Sequence, residues 1–331
     1  MHRRQFLSLL AAGGAMAGAT QQARATSYRG SDDQFPLRVE HIFGETVIRQ
    51  RPQRVVALGW SAEDSLIDLG LVPVAMPRRQ HFVGGVYPWN VDRVGEPKPY
   101  LFNDMMIDFE QIAALKPDLI ISVTNYITGK DYSRLSEIAP TIARQSPVNA
   151  VDWREELRLC GAALGRDSDA KELLSSIVDL FETARTQNMS LAGLRIAFGN
   201  YMPRQRGLRI HGASSKHFDI YRRLGMKAAI LNGPQGPREM EKEETLIGFE
   251  AIPELECDLL ALWFPGDQRD EVLGNELLQT LDCVRSGGFV QFSDPALIWA
   301  AYAASSRSLQ YTLPLIIEKL NGAAARAGLD Q

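Results

Sequence analysis

A helix-then-strand pattern that occurs twice constrains the fold of this chain more than any other sequence feature. In the first copy, residues 108–123, the apolar residues Phe109 and Ile112 are three apart, which places them on one face of a short helix. Pro117 ends that helix, because proline cannot continue a helix and restricts the residue before it. The apolar run 119–121 that follows is too short for a helix and predicts a buried strand.

Residues 248–263 repeat this pattern 140 positions later. The residues identical at that offset are Phe249, Glu250, Ile252, Leu255, Asp258 and Leu259. The same offset aligns the apolar stretch 56–59 with 196–199. Two elements that match at one offset predict two similar α/β lobes. Because strands alternate with helices in each half, each lobe should be built around a mostly parallel sheet flanked by helices.

The first 25 residues have the composition of an export signal. Arg3-Arg4 stands directly before an apolar run, 6–19, which is rich in Ala and Gly and short for a membrane span. Ala23-Arg24-Ala25 is an A-x-A cleavage signal, and cleavage after Ala25 would leave a soluble chain. The arrangement Arg-Arg-x-Phe-Leu resembles a twin-arginine signal, which exports folded proteins. We therefore expect a bacterial periplasmic protein, with a retained N-terminal anchor as the alternative.

The remaining sequence divides into four segments by its helix and strand signals. The expected segments are a lead-in at 26–52, an N-terminal α/β lobe at 53–152, a linking helical segment at 153–190 and a C-terminal α/β lobe at 191–331. The lead-in should be irregular apart from an edge strand near 46–48. The linking segment has no strand signal and follows helical spacing, with Gly165 as the expected break.

Within the lobes, further elements follow from local patterns. Strands are expected at 71–75 and near 148–151, and a helix is expected over 275–282. Residues 77–107 contain four prolines and should form a long, functional loop.

Charge and cysteine content exclude some functions and leave others open. A net charge of −4 without a basic stripe argues against nucleic-acid binding. The three cysteines have no metal-type spacing. Cys257 and Cys283 are therefore expected to be buried free thiols, or a pair in an oxidising compartment.

A search for catalytic and metal-binding motifs finds none. The chain lacks a G-x-S-x-G elbow, a phosphate-binding G-x-x-x-x-G-K loop and a G-x-G-x-x-G turn after a strand. His211 and His217 are six apart across a predicted turn, whereas a transition-metal cage favours several converging histidines. We expect no intrinsic metal site and no enzymatic activity.

Aromatic and cationic residues at strand ends point instead to a binding cleft. Ligands of parallel α/β sheets bind outside the carboxyl ends of the strands. Trp60 and Tyr126 follow strands of the first lobe, Arg204 and Arg206 follow the first strand of the second, and Trp299 follows a late strand. On facing lobes these residues would suit a bulky, partly apolar, oxygen-rich anion. The alternative is that the tryptophans belong to the core and the arginines to the solvated surface.

Residues 108–122, which follow Val94-Gly95, resemble the periplasmic binding proteins for ferric siderophores and cobalamin. The resemblance covers about residues 53–320, and the strand-and-glycine stretch 54–59 and the segment from Asp294 to Trp299 support it. The twin-arginine leader and the overall similarity favour the hydroxamate-siderophore branch. The resemblance implies two α/β lobes bridged by one long helix, the helical-backbone type of periplasmic binding protein.

The resemblance also implies roles for individual residues. Tyr126 and Trp299 match aromatic residues of the family's cleft, and Arg204 lies in the second-lobe loop that reaches the ligand. Lys98 is near the position where hydroxamate binders place a ligand-contacting arginine. Where those binders have a second-lobe tryptophan, this chain has the acidic stretch Glu241–Glu244.

Glu110 and Glu250, the glutamates of the two repeats, match the carboxylates with which the family docks on its membrane permease. The alternative is that both are helix-end charges, since a carboxylate near a helix start is favourable in itself. The resemblance therefore implies a monomeric, non-enzymatic substrate-binding protein that delivers a ferric siderophore, of hydroxamate or mixed carboxylate type, to an ABC permease. Because the siderophore wraps the iron, no protein ligand to the metal is needed. Cobalamin or haem within the same fold, and a periplasmic hydrolase or reductase acting in the cleft, are the alternatives.

Overall fold

The computed structural model describes residues 35–103, 106–125, 127–145, 152–233, 236–264 and 268–330. The strands in these residues are β1 Leu37–His41, β2 Gly44–Ile48, β3 Val55–Ala57, β4 Ala75–Pro77, β5 Tyr100–Phe102, β6 Leu119–Ser122, β7 Thr141–Ala143, β8 Arg195–Met202, β9 Gly207–His211, β10 Lys227–Ala228, β11 Ile230–Gly233, β12 Gly236–Glu239, β13 Glu244–Gly248, β14 Leu255–Glu256, β15 Leu259–Trp263 and β16 Phe289–Phe292. The α-helices are α1 Ala62–Asp68, α2 Phe109–Ala114, α3 Gly129–Ile138, α4 Trp153–Ala163, α5 Asp167–Gln187, α6 Asp219–Arg223, α7 Arg269–Leu273, α8 Asp282–Ser286, α9 Pro295–Tyr302 and α10 Ser306–Arg326. The predicted α/β class is confirmed.

The sheet of the first lobe has five parallel strands in the order β5-β4-β3-β6-β7. Every residue of β3 and β6 is buried, as expected when helices cover both faces of a parallel sheet. The strand residues alternate between two cores. Val55 packs in the core that contains Leu66 of α1 and Leu157 of α4, whereas Val56 packs in the core that contains Ile112 of α2.

The predicted repeat unit is confirmed in the first lobe and altered in the second. In the first copy, the side chain of Asp108 accepts a hydrogen bond from the Gln111 amide at 3.0 Å and caps α2, which leads into β6. In the second copy, β15 forms as predicted, but residues 249–254 wind into a 3₁₀ helix. Pro253 lies inside that helix and removes one of the amide donors that an α-helix would need.

The sheet of the second lobe is mixed. Its order is β13-β9-β8-β15-β16, with β10 also paired to β8. The pairs of β8 with β10 and β15, and of β15 with β16, are parallel, whereas the two pairs that involve β9 are antiparallel. The arginine-rich segment after β8 is therefore not a loop throughout. It turns at Arg206, whose φ is 51°, and returns as β9.

The lead-in prediction was wrong in part, because residues 37–48 form a β-hairpin rather than an irregular segment with one edge strand. β1 pairs antiparallel with β2 from Leu37 opposite Ile48 to the turn at Gly44, whose φ of 123° favours glycine. The Thr46 hydroxyl donates to the Thr141 carbonyl at 2.6 Å, which fastens the hairpin to the first lobe.

Two elements predicted from the sequence differ from the structure. The second strand of the first lobe was predicted at 71–75 but β4 begins at Ala75, because Pro73 has no amide to pair. The helix predicted over 275–282 is wrong, because that stretch holds only a 3₁₀ turn over Leu278–Thr280 before α8 starts. The strand predicted near 148–151 falls outside the described residues.

Two helices, α4 and α5, fill the predicted linking segment. They are separated at Gly165, whose φ of 64° is left-handed and favours glycine. The C-terminal helix α10 packs against α5 and also against α1 of the first lobe, so one apolar core extends through both halves of the chain. Within the described residues, none of the helices combines the length and the apolar character that crossing a bilayer requires.

Candidate ligand-binding cleft

A cavity of about 360 Å³ lies between the two lobes. Its size falls within the range of small-molecule sites, which is roughly 300–1,000 Å³. The described residues that line it are Trp60, Ser61, Thr124, Asp152, Trp153, Arg154, Ser214, Lys216, Asp219, Ile220, Arg222, Glu243, Ala301, Tyr302, Ala303, Ala304 and Leu309. The first-lobe residues follow the carboxyl ends of β3 and β6, as the rule for parallel sheets predicts.

Trp60 is positioned in the cleft by the preceding residue, Gly59, whose backbone packs closely against Thr124. Gly59 has a φ of 112°, and a Cβ at that position would lie 2.6 Å from the Thr124 hydroxyl oxygen, so a larger residue would not fit. The same oxygen accepts a hydrogen bond from the Trp60 amide at 3.1 Å. The Trp60 residue remains 43% exposed, which leaves ring surface for a ligand.

Trp299 contacts Trp60 from α9, with the two ring centroids 6.0 Å apart in an edge-to-face arrangement. Trp299 itself is partly buried, and the described lining residues do not include it. Its ring also lies near His81 and Tyr87 of the long segment between β4 and β5, with centroid distances of 6.1 and 6.4 Å. That segment therefore packs against α9 and supports the aromatic side of the cleft.

The opposite wall is charged and internally paired. The Asp219 carboxylate at the start of α6 accepts hydrogen bonds from Arg154 at 2.7 Å and Arg223 at 2.9 Å, and a further one from Arg222. Burial alone would raise the pKa of Asp219, but the hydrogen bonds and charges of Arg154 and Arg223 more than offset this and lower it. Asp152 also accepts from Arg154. Both carboxylates are thus occupied by arginines.

Lys216 differs from the arginines of this wall. In the part of the chain that the structure describes, it is the cation of the lining that forms no ion pair within 4.0 Å. Burial lowers the pKa of Lys216, while the carboxylates of Glu243 and Asp152 act in the opposite direction. Because Lys216 is exposed at the cavity and lacks a direct partner in the described residues, its ammonium is available to an acceptor oxygen of a ligand.

Tyr302 contributes a fixed hydroxyl to the cavity. That hydroxyl donates its proton to Asn200 Oδ1 at 2.5 Å, so His211 Nε2, which is 2.9 Å away, must carry a proton and donate to it. Burial and the charge of His217 lower the pKa of His211 to about 4, and burial raises the pKa of Tyr302 to about 12. Both rings are therefore neutral at neutral pH, and the network stays in one protonation state.

Glu156 lies below the cleft with no exposed surface. The hydroxyls of Ser61 and Thr124 lie nearby, but its carboxyl oxygens have no hydrogen bonds of good geometry in the described residues. Burial raises the pKa of Glu156 to about 7, with a further contribution from the charge of Glu63.

The residues expected from the sequence to bind ligand occupy several places. Trp60 lines the cavity and Trp299 touches Trp60, whereas Lys98, Arg204 and Arg206 are exposed and outside the described lining. The Lys98 ammonium lies 3.9 Å from the Glu96 carboxylate. Tyr126 is outside the described residues. Both expected docking residues, Glu110 and Glu250, are exposed and away from the cavity.

Sequence reasoning missed Arg154, Lys216 and Tyr302. Arg154 follows the capping residue Asp152 of α4, and Lys216 follows Ser215, whose hydroxyl accepts a hydrogen bond from the His217 amide. Such cap residues mark helix starts, and helix starts from two segments meet in this cleft. The acidic stretch Glu241–Glu244, which stands where the resemblance implies a second-lobe tryptophan, contributes Glu243 to the lining. No group of three or more potential metal ligands occurs in the described residues.

Comparison with known proteins identifies the family. Residues 55–295 match a family model described as periplasmic binding protein. The chain belongs to the periplasmic binding protein family. Members of this family are solute-binding proteins rather than enzymes, which confirms the prediction of a non-enzymatic protein.

Curated relatives of this periplasmic binding protein include the Fe(3+)-citrate-binding protein YfmC of Bacillus subtilis, which is 24% identical over 252 residues and 74% of each chain. The ferric-anguibactin-binding protein FatB of Vibrio anguillarum is 34% identical over 110 residues, 32% of this chain and 31% of FatB. A third relative, the substrate-binding lipoprotein YhfQ of Bacillus subtilis, is 29% identical over 162 residues. The alignment with YhfQ spans 48% of that protein, about half its length.

Solved structures show the same fold. PiaA of Streptococcus pneumoniae in complex with ferrichrome superposes with a TM-score of 0.73 at 22% identity, over 88% of this chain and 99% of PiaA. A periplasmic solute binding protein of Mycobacterium smegmatis gives a TM-score of 0.73 at 27% identity, over 88% and 98% of the two chains. The two-lobed architecture predicted for this periplasmic binding protein is thereby confirmed.

Proposed function

We propose that this chain captures a ferric siderophore in its interlobe cleft and delivers it to an ABC permease for iron uptake. The observation that carries the proposal is the cleft itself, which combines exposed aromatic surface at Trp60 with the Lys216 ammonium and the Tyr302 hydroxyl. The names of YfmC and FatB, and the ferrichrome complex of PiaA, support this choice of ligand class.

The chemistry of the cleft suits such a complex. A ferric siderophore has an apolar backbone, which can pack on an aromatic ring, and an oxygen-rich iron centre, which accepts hydrogen bonds. Because the siderophore's own oxygens occupy the iron, the protein needs to supply donors and not metal ligands. Among the described cations of the charged wall, Lys216 is the one without an ion pair, since Arg154 and Arg222 are held by Asp219.

Hydroxamate siderophores are our first candidate, as the resemblance of residues 108–122 implies. In this proposal Trp60, Trp299 and Tyr126 form the aromatic side of the site. Arg204, Arg206 and Lys98 are exposed and outside the described lining, so they would contact only the outer part of a large ligand.

Glu110 and Glu250 are proposed to dock the protein on its permease, one on each lobe. Glu110 is exposed in the first turn of α2, beside a shallow depression that includes Tyr100 and Met106. Tyr100 is 40% exposed and Met106 is 73% exposed, so apolar surface lies next to the carboxylate. A charge beside exposed apolar residues is a frequent arrangement at protein interfaces.

We further propose that the protein works as a monomer in the periplasm, where residues 1–25 direct it by the twin-arginine pathway before cleavage near Ala25. Those residues lie outside the described part of the chain, so the proposal rests on Arg3-Arg4 and the apolar run that follows.

The proposed function is tested by titrating the purified chain and following its tryptophan fluorescence, since Trp60 lies in the cleft. The panel contains a ferric trihydroxamate, ferric citrate, a ferric catecholate, haem and cobalamin. We expect saturable quenching by at least one ferric complex, and weaker or no binding of the iron-free siderophore. Binding of haem or cobalamin alone would contradict the proposal and assign the cleft to those ligands.

A further inference from the structure

Two of the three cysteines, which no part of the binding function uses, lie in contact in the second lobe. Cys257 stands between β14 and β15, and Cys283 is in the first turn of α8. Their sulfur atoms are 3.5 Å apart. A disulfide bond needs about 2.05 Å between the sulfurs, so rotation of the side chains and a small backbone adjustment would close the gap.

The environment of the pair also favours reaction. Cys283 is 5% exposed within the apolar core of the lobe, and Cys257 is partly exposed at the edge of that core. The hydrogen bond between the sulfurs lowers the pKa of Cys283 and raises the pKa of Cys257. Either thiol must lose its proton to react, because the thiolate is the reactive form. The partly exposed Cys257 gives an oxidant access to the pair.

We propose that Cys257 and Cys283 form an intramolecular disulfide in the folded protein when it meets a disulfide-containing oxidant. One of the two cysteines, as its thiolate, attacks one sulfur of the oxidant, which breaks the oxidant's S–S bond and releases one of its thiolates. The other cysteine then loses its proton and attacks the sulfur of the first, which releases the second thiolate and forms the Cys257–Cys283 bond. Two electrons and two protons pass from the cysteines to the oxidant.

The bond would close the chain segment between β14 and α8. Both cysteines lie at the end of the sheet where β15 begins, and neither is among the described residues that line the cavity. The disulfide should therefore stabilise the second lobe, by restricting the unfolded chain, and leave the cleft unchanged. This inference does not depend on the proposed ligand.

Cys160 is the internal control. It is fully buried in α4, and burial raises its pKa well above the usual range, with the charge of Glu156 acting in the same direction. A thiol that is buried, protonated and without a neighbouring cysteine in the described residues should remain reduced in the folded protein.

The test uses the purified full chain, kept folded, with and without oxidised glutathione. After treatment the protein is denatured in an alkylating reagent and weighed by mass spectrometry. We expect the chain to lose two hydrogens and to take up one alkyl group, on Cys160. The melting temperature should rise by several degrees on oxidation and fall again after reduction, in the wild type and in Cys160→Ala but not in Cys283→Ala.

The proposal would be overturned by any of three results after oxidation. These are three alkylated cysteines, a glutathione adduct without an internal bond, or a dimer linked between chains. If the Cys283→Ala variant does not fold, the mass and alkylation of the wild type decide alone. Peptide mapping of the oxidised wild type should then find Cys257 and Cys283 in one cross-linked peptide pair. Any other pairing would also overturn the proposal.

Discussion

The carboxylate of Asp64 accepts a hydrogen bond from the hydroxyl of Ser305, which joins α1 of the first lobe to the start of α10. The next turn of α1 repeats the contact, since Asp68 accepts from the Ser306 hydroxyl and from the Arg307 guanidinium. These groups are buried or nearly so. Buried polar contacts of this kind are costly to separate, so we expect α1 and the start of α10 to move as one unit.

Arg307 should be the most sensitive residue of this contact. Its guanidinium donates to Asp68 at 2.8 Å, to Asn90 at 2.6 Å and to the Trp89 carbonyl at 2.5 Å. Arg307→Ala would leave the Asp68 carboxylate buried without its cation, which costs roughly 3–5 kcal/mol of unfolding free energy. Urea denaturation measures this. Arg38→Ala removes the exposed pair with Glu45 and should cost about 0–1 kcal/mol. Equal losses in the two variants would contradict the prediction.

The contribution of Glu156 to stability should fall as the pH rises from about 4.5 to about 7, whereas His211, whose pKa is lowered to about 4, acts in the opposite direction over part of this range. Burial raises the pKa of Glu156 from 4.5 to about 7, so the folded state binds a proton that the unfolded state has already lost in this range. Burial and the charge of Glu63 raise the pKa of Asp64 to about 7 in the same way.

The Glu156→Gln variant isolates the contribution of Glu156, because the amide resembles the protonated carboxyl. Glu63, Asp64 and the Cys160 thiol face the same space and remain in the variant. Denaturation at pH 5, 6, 7 and 8 should show that Glu156→Gln becomes more stable relative to the wild type as the pH rises, because only the wild type carries the titrating carboxyl. Parallel pH curves would mean that Glu156 does not titrate in this range.

Trp60→Ala and Trp299→Ala should each weaken binding of the ligand found in the titration. Loss of aromatic contact costs about 1–3 kcal/mol, which corresponds to roughly a tenfold to hundredfold rise in Kd. Val83→Ala serves as the control, since Val83 is 98% exposed. Isothermal titration measures affinity, and thermal melting is recorded beside it. For either tryptophan, unchanged affinity with a large loss of stability would assign it to the core.

Lys216→Gln should weaken binding of a negatively charged ferric complex and reduce the salt dependence of its affinity. The ammonium, which lines the cavity, would otherwise make a charge-assisted hydrogen bond to the ligand, worth about 1.5–3 kcal/mol. The control is Lys227→Gln, which removes an exposed lysine of β10 outside the described cavity lining. Titration at two salt concentrations measures both effects. If the two variants bind alike, Lys216 does not contact the ligand.

The double variant Glu110→Arg and Glu250→Arg should bind ligand normally but fail to support uptake. Neither residue lies in the cleft, and charge reversal would oppose the cations expected on the permease. Ligand titration, uptake of radioactive iron and ATP hydrolysis by the reconstituted permease measure the three steps. Glu137→Arg reverses an exposed charge on α3 and should behave as the wild type. Normal uptake by the folded double variant would leave both glutamates as helix-end charges.

Local sequence patterns were sufficient to predict the central strands of both lobes. The apolar runs of β3, β6 and β15 and the helix start at Asp108 could be predicted because burial periodicity and capping act within a few residues. Where a single residue opposed the pattern, the element shifted or changed type, as at Pro73 before β4 and at Pro253 in the second repeat. Such effects are also local, and the sequence contained the signal for both.

The sequence by itself therefore determined the two-lobed α/β fold, the linking helices and the place of Trp60 at a strand end. Only the tertiary structure decided which polar residues share the cleft, because Arg154, Lys216 and Tyr302 come from segments far apart in the chain. The pairing of β9 with β8, the contact of Asp64 with Ser305 and the approach of Cys257 to Cys283 depend on the same long-range packing. Local spacing carries no information about such contacts, since they form only when the sheets and helices have packed.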